Sequence, residues 1–235
     1  MAQSTGYILY DGISVYDGQP IVVIATNKTS NDKTGDMWQT WIMRSDIEPH
    51  TAVKTGADYS VCGECPLRPL NYKKYGLKKP CYVRVFQAPL SVYRKYKRGG
   101  YKTIELSEFR KMLQGGALRQ GSYGDPSAIP FEVWQSIGVG SGEFNHTGYT
   151  HGYLLPNFDT RNLDINMISL DPVTEQLPSL PVGRTFRAIE SVDQLRTGEV
   201  LCPASKEQNY KTQCAKCGLC KGLALKAKNI AIVMH

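Results

Sequence analysis

The chain has 235 residues, of which 41% are hydrophobic and 21% charged, with a net charge of +7; this balance supports one folded core and excludes a disordered or low-complexity chain. Its longest apolar runs, residues 21–25 and 230–234, fall far short of the roughly 20 residues that span a bilayer. The first residues lack a basic stretch followed by an apolar one, so the sequence predicts a cytoplasmic protein with no membrane partner.

Taken in order, residues 7–10 and 21–24 read as a β-hairpin region broken at Asp11-Gly12 and Asp17-Gly18. It looks like an N-terminal addition over residues 1–36. Beyond it, eight segments carry strand character: 41–44, 82–86, 117–121, 145–149, 165–169, 185–189, 200–201 and 230–234. Helical patterns fall between them. Residues 107–113 open on Ser107 and end before Gly115-Gly116, residues 131–137 follow Pro130 and stop at Gly138, and residues 191–195 form a third. Strands alternating with helices predict an α/β fold with a parallel sheet, either a compact or incomplete (β/α) barrel of the TIM type or an open sheet. One domain is expected, with residues 37–235 as its core. Several strands end in groups able to do chemistry: Ser45-Asp46, Tyr123-Gly124-Asp125, Thr150-His151, Cys202 and His235. In a barrel, those ends form the active-site face.

The seven cysteines carry the strongest signal. In a reducing cytosol, clustered thiols mark metal or redox sites more often than disulfides. Cys202-Pro203 precedes the run Cys214-Ala215-Lys216-Cys217-Gly218-Leu219-Cys220. Three thiolates spaced by two residues, with a remote cysteine before proline, match the ligand pattern of ferredoxin-type [4Fe–4S] clusters. Gly218 lets the chain curl tightly between two of them. Zinc uses the same residue types, but its two Cys-x-x-Cys pairs are usually separate, whereas here they share Cys217. A second set, Cys62-Gly63-Glu64-Cys65-Pro66 with Cys81, supplies three thiolates in the connection after the first barrel strand. That is one short of a closed site. The missing ligand is His50, Asp58 or water, or one iron of a cluster stays open to a substrate or to S-adenosylmethionine; alternatively these cysteines complete the C-terminal site.

The segments Gly121-Ser122-Tyr123-Gly124-Asp125-Pro126, Thr147-Gly148-Tyr149-Thr150-His151, Cys202-Pro203-Ala204-Ser205 and Cys217-Gly218-Leu219-Cys220-Lys221-Gly222 resemble those of a bacteriophage-encoded, cysteine-rich family of unknown function, over about residues 44–235. That resemblance implies a host-cytoplasm location and no particular activity. More distantly, a cysteine loop after the first strand of an α/β barrel resembles the radical-SAM superfamily, which implies S-adenosylmethionine as a cofactor. Cys81 stands farther from its partners than the third cysteine of that superfamily's Cys-x-x-x-Cys-x-x-Cys, and Gly99-Gly100 lacks the acidic partner of its SAM-amine motif.

Other residues have two readings each. Asp125 either points a carboxylate into a barrel mouth or caps the turn before Pro126. His151 is a general acid/base, a ligand or a hydrogen-bonded structural histidine. Ser205 and Glu207, close behind Cys202, either hydrogen-bond cluster sulfurs or cap the next segment. The glycines of 138–142 follow a helix, which is the wrong order for a phosphate-binding loop. The leading expectation is a [4Fe–4S] protein, either a radical-SAM-like enzyme or an electron-transfer or non-catalytic descendant, with a small-molecule or redox partner. The alternative is a zinc-stabilised basic module that binds nucleic acid through the lysine- and tyrosine-rich stretches 73–79 and 93–98.

Overall fold

The run at residues 21–25 becomes a strand buried on both faces, as an uninterrupted apolar sequence requires. In the computed structural model, which describes residues 6–27 and 33–234, the elements follow in chain order. They are β1 (Gly6–Ile13), β2 (Pro20–Thr26), β3 (Trp38–Arg44), α1 (Pro49–Thr55), α2 (Tyr59–Cys62), α3 (Ala88–Lys97), β4 (Lys102–Thr103), α4 (Leu106–Leu113) and β5 (Ala117–Tyr123). There follow α5 (Phe131–Ile137), β6 (Asn145–Thr147), β7 (Tyr149–Thr150), α6 (Asn162–Ile165), β8 (Met167–Leu170), β9 (Thr185–Ile189), β10 (Glu199–Leu201), α7 (Cys214–Cys217) and β11 (Asn229–Val233). His235 lies outside the described residues.

The fold is mixed α/β with two sheets. The first has the order β4-β1-β2-β3-β5-β6 and the second β10-β11-β9-β8-β7. Among the described residues, only the hairpin β1-β2 and its neighbour β3 pair antiparallel, and every other ladder is parallel. The hairpin shares one core with the rest of its sheet, where Ile21, Ile24 and Ile42 join Leu118, Phe109 and Trp134. The sheets meet at residues 145–150. β6 pairs with β5 and β7 with β8, and between them Gly148 donates its N–H to Cys220 O at 3.3 Å and accepts from Met167 N at 2.9 Å. A Cβ here would lie 1.8 Å from Asn166 Oδ1, so any larger residue at the crossing point would displace the Asn166 side chain.

Most expected elements are present, with instructive exceptions. Residues 82–86 form no strand: Val83 and Val85 pack on the core while Tyr82 and Phe86 are exposed, and Gln87 N turns back to Arg84 O before α3 begins. The alternation was real, but no neighbouring strand pairs with it. The strand expected at 145–149 is split at Gly148, and β8 starts two residues later than expected because Ile165 ends α6. The helix expected at 191–195 is a single 3₁₀ turn, Val192–Gln194. The basic stretch 93–98 falls mostly on α3, with Tyr93 turned into the core. Helix α5 ends as its sequence implies, at Gly138 in the left-handed conformation with φ of 84°.

His146 is buried in β6, with Nε2 3.2 Å from Ile165 O. Burial, reinforced by the nearby Lys221 charge and only partly opposed by that carbonyl, pushes its pKa down from 6.5 to about 4. Between those values the unfolded chain binds a proton that the folded chain does not, so stability falls as pH drops through the window. The loss is on the order of 3 kcal/mol. Urea denaturation at about pH 7 and about pH 4.5 should show this loss in the wild type and a smaller one in His146→Gln; equal acid sensitivity in both would exclude His146 as the source.

Candidate metal centre

The seven cysteines are all free thiols and the fold sorts them into two groups. Cys202, Cys214, Cys217 and Cys220 line one cavity together with Lys33 and Tyr149. Cys202 follows β10 and is fixed by its N–H to Ala231 O at 2.8 Å. Cys214 and Cys217 bracket the single turn of α7, which Gly218 ends with φ of 61°. Two long-range contacts seat that turn: Cys214 N and Ala215 N donate to Lys33 O and Thr34 O, both at 2.9 Å. A third comes from β6, where Asn145 Nδ2 donates to Ala215 O at 2.9 Å.

Burial raises the pKa of the Cys202 and Cys214 thiols, and that of Cys220 to about 12, although the Tyr149 hydroxyl hydrogen-bonds the Cys220 sulfur. Such thiols ionise only when a cation is close by. The donor set is therefore the soft, four-sulfur kind that zinc and iron–sulfur clusters share. Among the described residues, no three His, Cys, Asp or Glu side chains already stand in the arrangement of a metal-ion site. The cavity encloses about 20 Å³, the space of one water-sized atom. Ser205 is buried at the start of the next turn, makes no capping bond, and leaves its hydroxyl without a partner. Glu207 raises the Cys202 pKa by its charge.

The second group, Cys62, Cys65 and Cys81, lies against the C-terminal ends of β5 and β7. Asp125 N, just past β5, donates to Val61 O at 2.6 Å. Gly63 adopts φ of 54° with ψ of −135° in the Cys-Gly-Glu-Cys turn, a conformation open to glycine alone and different from the left-handed turn of Gly218. Cys81 N donates to Leu67 O at 2.7 Å, which returns the distant third cysteine to its partners. Burial pushes the Cys62 thiol well up, with Asp58, Cys65 and Cys81 adding to the rise, and the Cys81 thiol to about 11. Arg68 locks this loop. It grips the buried Asp58 through Nε at 3.0 Å and Nη2 at 2.6 Å, and donates to Gly63 O and Gly56 O.

Of the groups considered as a further ligand, Asp58 is thus engaged by Arg68, and His50 sits beside Glu48. His151 is the histidine beside the thiols. Its Nε2 lies 3.1 Å from Asp171 Oδ2, and the ring also hydrogen-bonds Cys65. Burial pulls the imidazole pKa down, but Cys65 and Asp171 outweigh it and leave the value at about 10. Asp125 is fully occupied: Oδ1 accepts from Ser127 N, Ser127 Oγ and Thr150 Oγ1, and Oδ2 from His151 N at 2.7 Å. It caps a turn and positions the His151 backbone.

Sequence reasoning missed Asp171, Arg68 and Tyr149. Asp171 was hidden because β8 was placed two residues early; with the strand ending at Leu170, it is another polar residue at a strand end. Tyr149 lay in plain view inside the Thr147–His151 segment, whereas nothing in the sequence marks Arg68 as the partner of Asp58. Comparison with protein-family models, curated proteins and solved structures finds no match to this chain. Among the described residues, no helix is long and apolar enough to cross a membrane.

Asp125→Asn keeps the side-chain volume but turns one acceptor into a donor facing N–H or O–H groups. The expected loss is about 2–4 kcal/mol of unfolding free energy, read by chemical denaturation. Wild-type stability in this variant would show that the four bonds do not hold the site together.

Proposed function

We propose that this chain binds a [4Fe–4S] cluster through Cys202, Cys214, Cys217 and Cys220. The observation that carries the reading is that Cys202 lines a single cavity with the Cys-x-x-Cys-x-x-Cys run of residues 214–220, a combination that suits a cubane. The unpartnered Ser205 hydroxyl and the Tyr149 hydroxyl supply donors of the sort that tune cluster sulfurs. Binding replaces the thiol protons with metal, so loading releases protons and weakens in acid. A cubane needs more room than the enclosed space, and the half-exposed Cys214 and Cys217 belong to the wall that would move outward.

The parallel order β3-β5-β6, continued through Gly148 into β7-β8-β9-β11-β10, supports reading the two sheets as an incomplete barrel. In that reading Cys62, Cys65 and Cys81 stand at its C-terminal face with His151 beside them, as a second metal set or as support for the first. An iron left open there is where S-adenosylmethionine or a substrate would coordinate. His151, charged and held by Asp171, is then a proton donor or an anchoring group for that site. The rival reading is a zinc-stabilised basic module, favoured by the small enclosed volume, which suits one tetrahedral ion. Its nucleic-acid contacts would come from residues 73–79 and from α3.

The test is anaerobic purification with iron, sulfide and zinc measured per chain, and a spectrum before and after dithionite. About four irons with matching sulfide and absorption at about 400 nm that bleaches on reduction are expected, and about eight if both sets are loaded. Cys217→Ser should lose most of the metal of the C-terminal set, because removing a thiolate corner weakens the site directly. A colourless protein with one or two zincs would favour the rival reading, and full occupancy in Cys217→Ser would overturn the ligand assignment.

A further inference from the structure

Apart from the cysteine cavity, a cleft of about 240 Å³ opens between β3, β5 and the segment that runs from Cys81 into α3. Gln39 and Trp41 line it from β3, Arg119 and Ser122 from β5, and Tyr82 and Arg84 from the segment after Cys81; no Asp or Glu does. Arg119 Nη2 donates to the Tyr82 hydroxyl at 2.6 Å. Its Nε is buried without a hydrogen-bond partner. Among the described residues, no carboxylate forms an ion pair with Arg119 or Arg84. A buried N–H left without an acceptor is costly to maintain unless something fills its place.

The surroundings add to the positive field. The first turn of the ten-residue helix α3 lines the cleft through Ala88 and Pro89, and its N-cap Gln87 makes no side-chain capping bond. Pro89 has no N–H, and Leu90 N and Ser91 N already donate to Val85 O and Gln87 O, so the helix contributes its dipole and not a row of free donors. Trp41 is held in place by its indole N–H, which donates to Thr26 Oγ1 at 2.9 Å, and Tyr82 stands exposed at the rim. Gln39 and Ser122 are hydrogen-bonded to each other at 2.8 Å and offer polar atoms along the floor.

We propose that this cleft binds a small anion bearing a flat ring. The phosphate or carboxylate pairs with Arg119 and Arg84, where guanidinium forks match its geometry, and the ring packs on Trp41 and Tyr82. Sites for drug-sized ligands start at about 300 Å³, so the occupant is a small molecule with one aromatic ring and not a polymer. The inference holds whichever metal the cysteines carry.

Calorimetric titration of the metal-replete protein with uridine 5′-monophosphate and with benzoate separates the phosphate and carboxylate sources. Uridine, inorganic phosphate and benzyl alcohol serve as controls lacking one half of the ligand. At least one of the two anions should bind saturably, with its controls about tenfold weaker or more, and Arg119→Gln and Arg84→Gln should each weaken it about tenfold. Metal content is measured on every variant, because Arg119 also lies close enough to Cys214 to lower its pKa. If Arg119→Gln alters only metal content and leaves affinity unchanged, the guanidinium serves the cysteines and the proposal is overturned. Arg84→Gln, at an exposed position, keeps the test open if the first variant fails to fold. Absence of saturable binding of either anion up to about 10 mM, or unchanged affinity in Arg84→Gln, also overturns it.

Discussion

The Asp125 carboxylate is where four parts of the chain are tied together. Its two oxygens accept from Ser127, Thr150 and the His151 backbone, while its own N–H reaches Val61 beside the first cysteine turn. Burying a carboxylate is unfavourable unless such donors replace its water, so the arrangement is all or nothing: each donor is held by the charge and the charge is tolerated because of the donors. The end of β5 and the end of β7 are therefore fixed relative to one another by this side chain, and the backbone N–H of the same residue adds α2 to them. Tyr16 joins the same network through Ser127 Oγ at 2.7 Å, which brings the β1-β2 turn into it as well.

From that anchor the two cysteine groups take different surroundings. The group of Cys62, Cys65 and Cys81 is locked by a buried ion pair, Arg68 with Asp58, whose desolvation is offset by two further bonds to backbone carbonyls. The group of Cys202, Cys214, Cys217 and Cys220 is held without an ion pair, by the backbone carbonyls of Lys33 and Thr34 and the Asn145 side chain, and Cys214 and Cys217 are only partly buried. Arg119 lies between them electrostatically, lowering the pKa of both Cys81 and Cys214. A change of charge in one group is thus felt at a residue that also faces the other.

Much of this was legible in the residues, for reasons that differ from element to element. Continuous apolar runs marked β2 and β11 because burial on both faces leaves no room for alternation. Pro130 and Gly138 marked the ends of α5 because each has a conformational role that few other residues fill. The division of the cysteines into two sets followed from spacing, and a glycine at positive φ sits in each of their turns. What spacing could not supply was the partner of each polar group. Residues 82–86 alternate as a strand does, yet whether a strand forms depends on a neighbour with free hydrogen bonds, which is a property of the whole sheet. The pairing of Asp58 with Arg68 and of His151 with Asp171 is likewise a matter of where the chain returns. Asp58 could be read as a ligand until its guanidinium partner was placed.

The contact between residues 33–34 and 214–215 also bears on how the molecule is made. The backbone of the C-terminal thiol turn is seated on carbonyls from near the other end of the chain, and loops of that length close slowly. During synthesis, at roughly 5–20 residues per second, the N-terminal sheet waits many seconds for the segment that completes this seat. Until then the thiols of residues 62–81 are present without those of residues 202–220. The group at residues 202–220 therefore assembles after the one at residues 62–81, in an order set by the direction of synthesis.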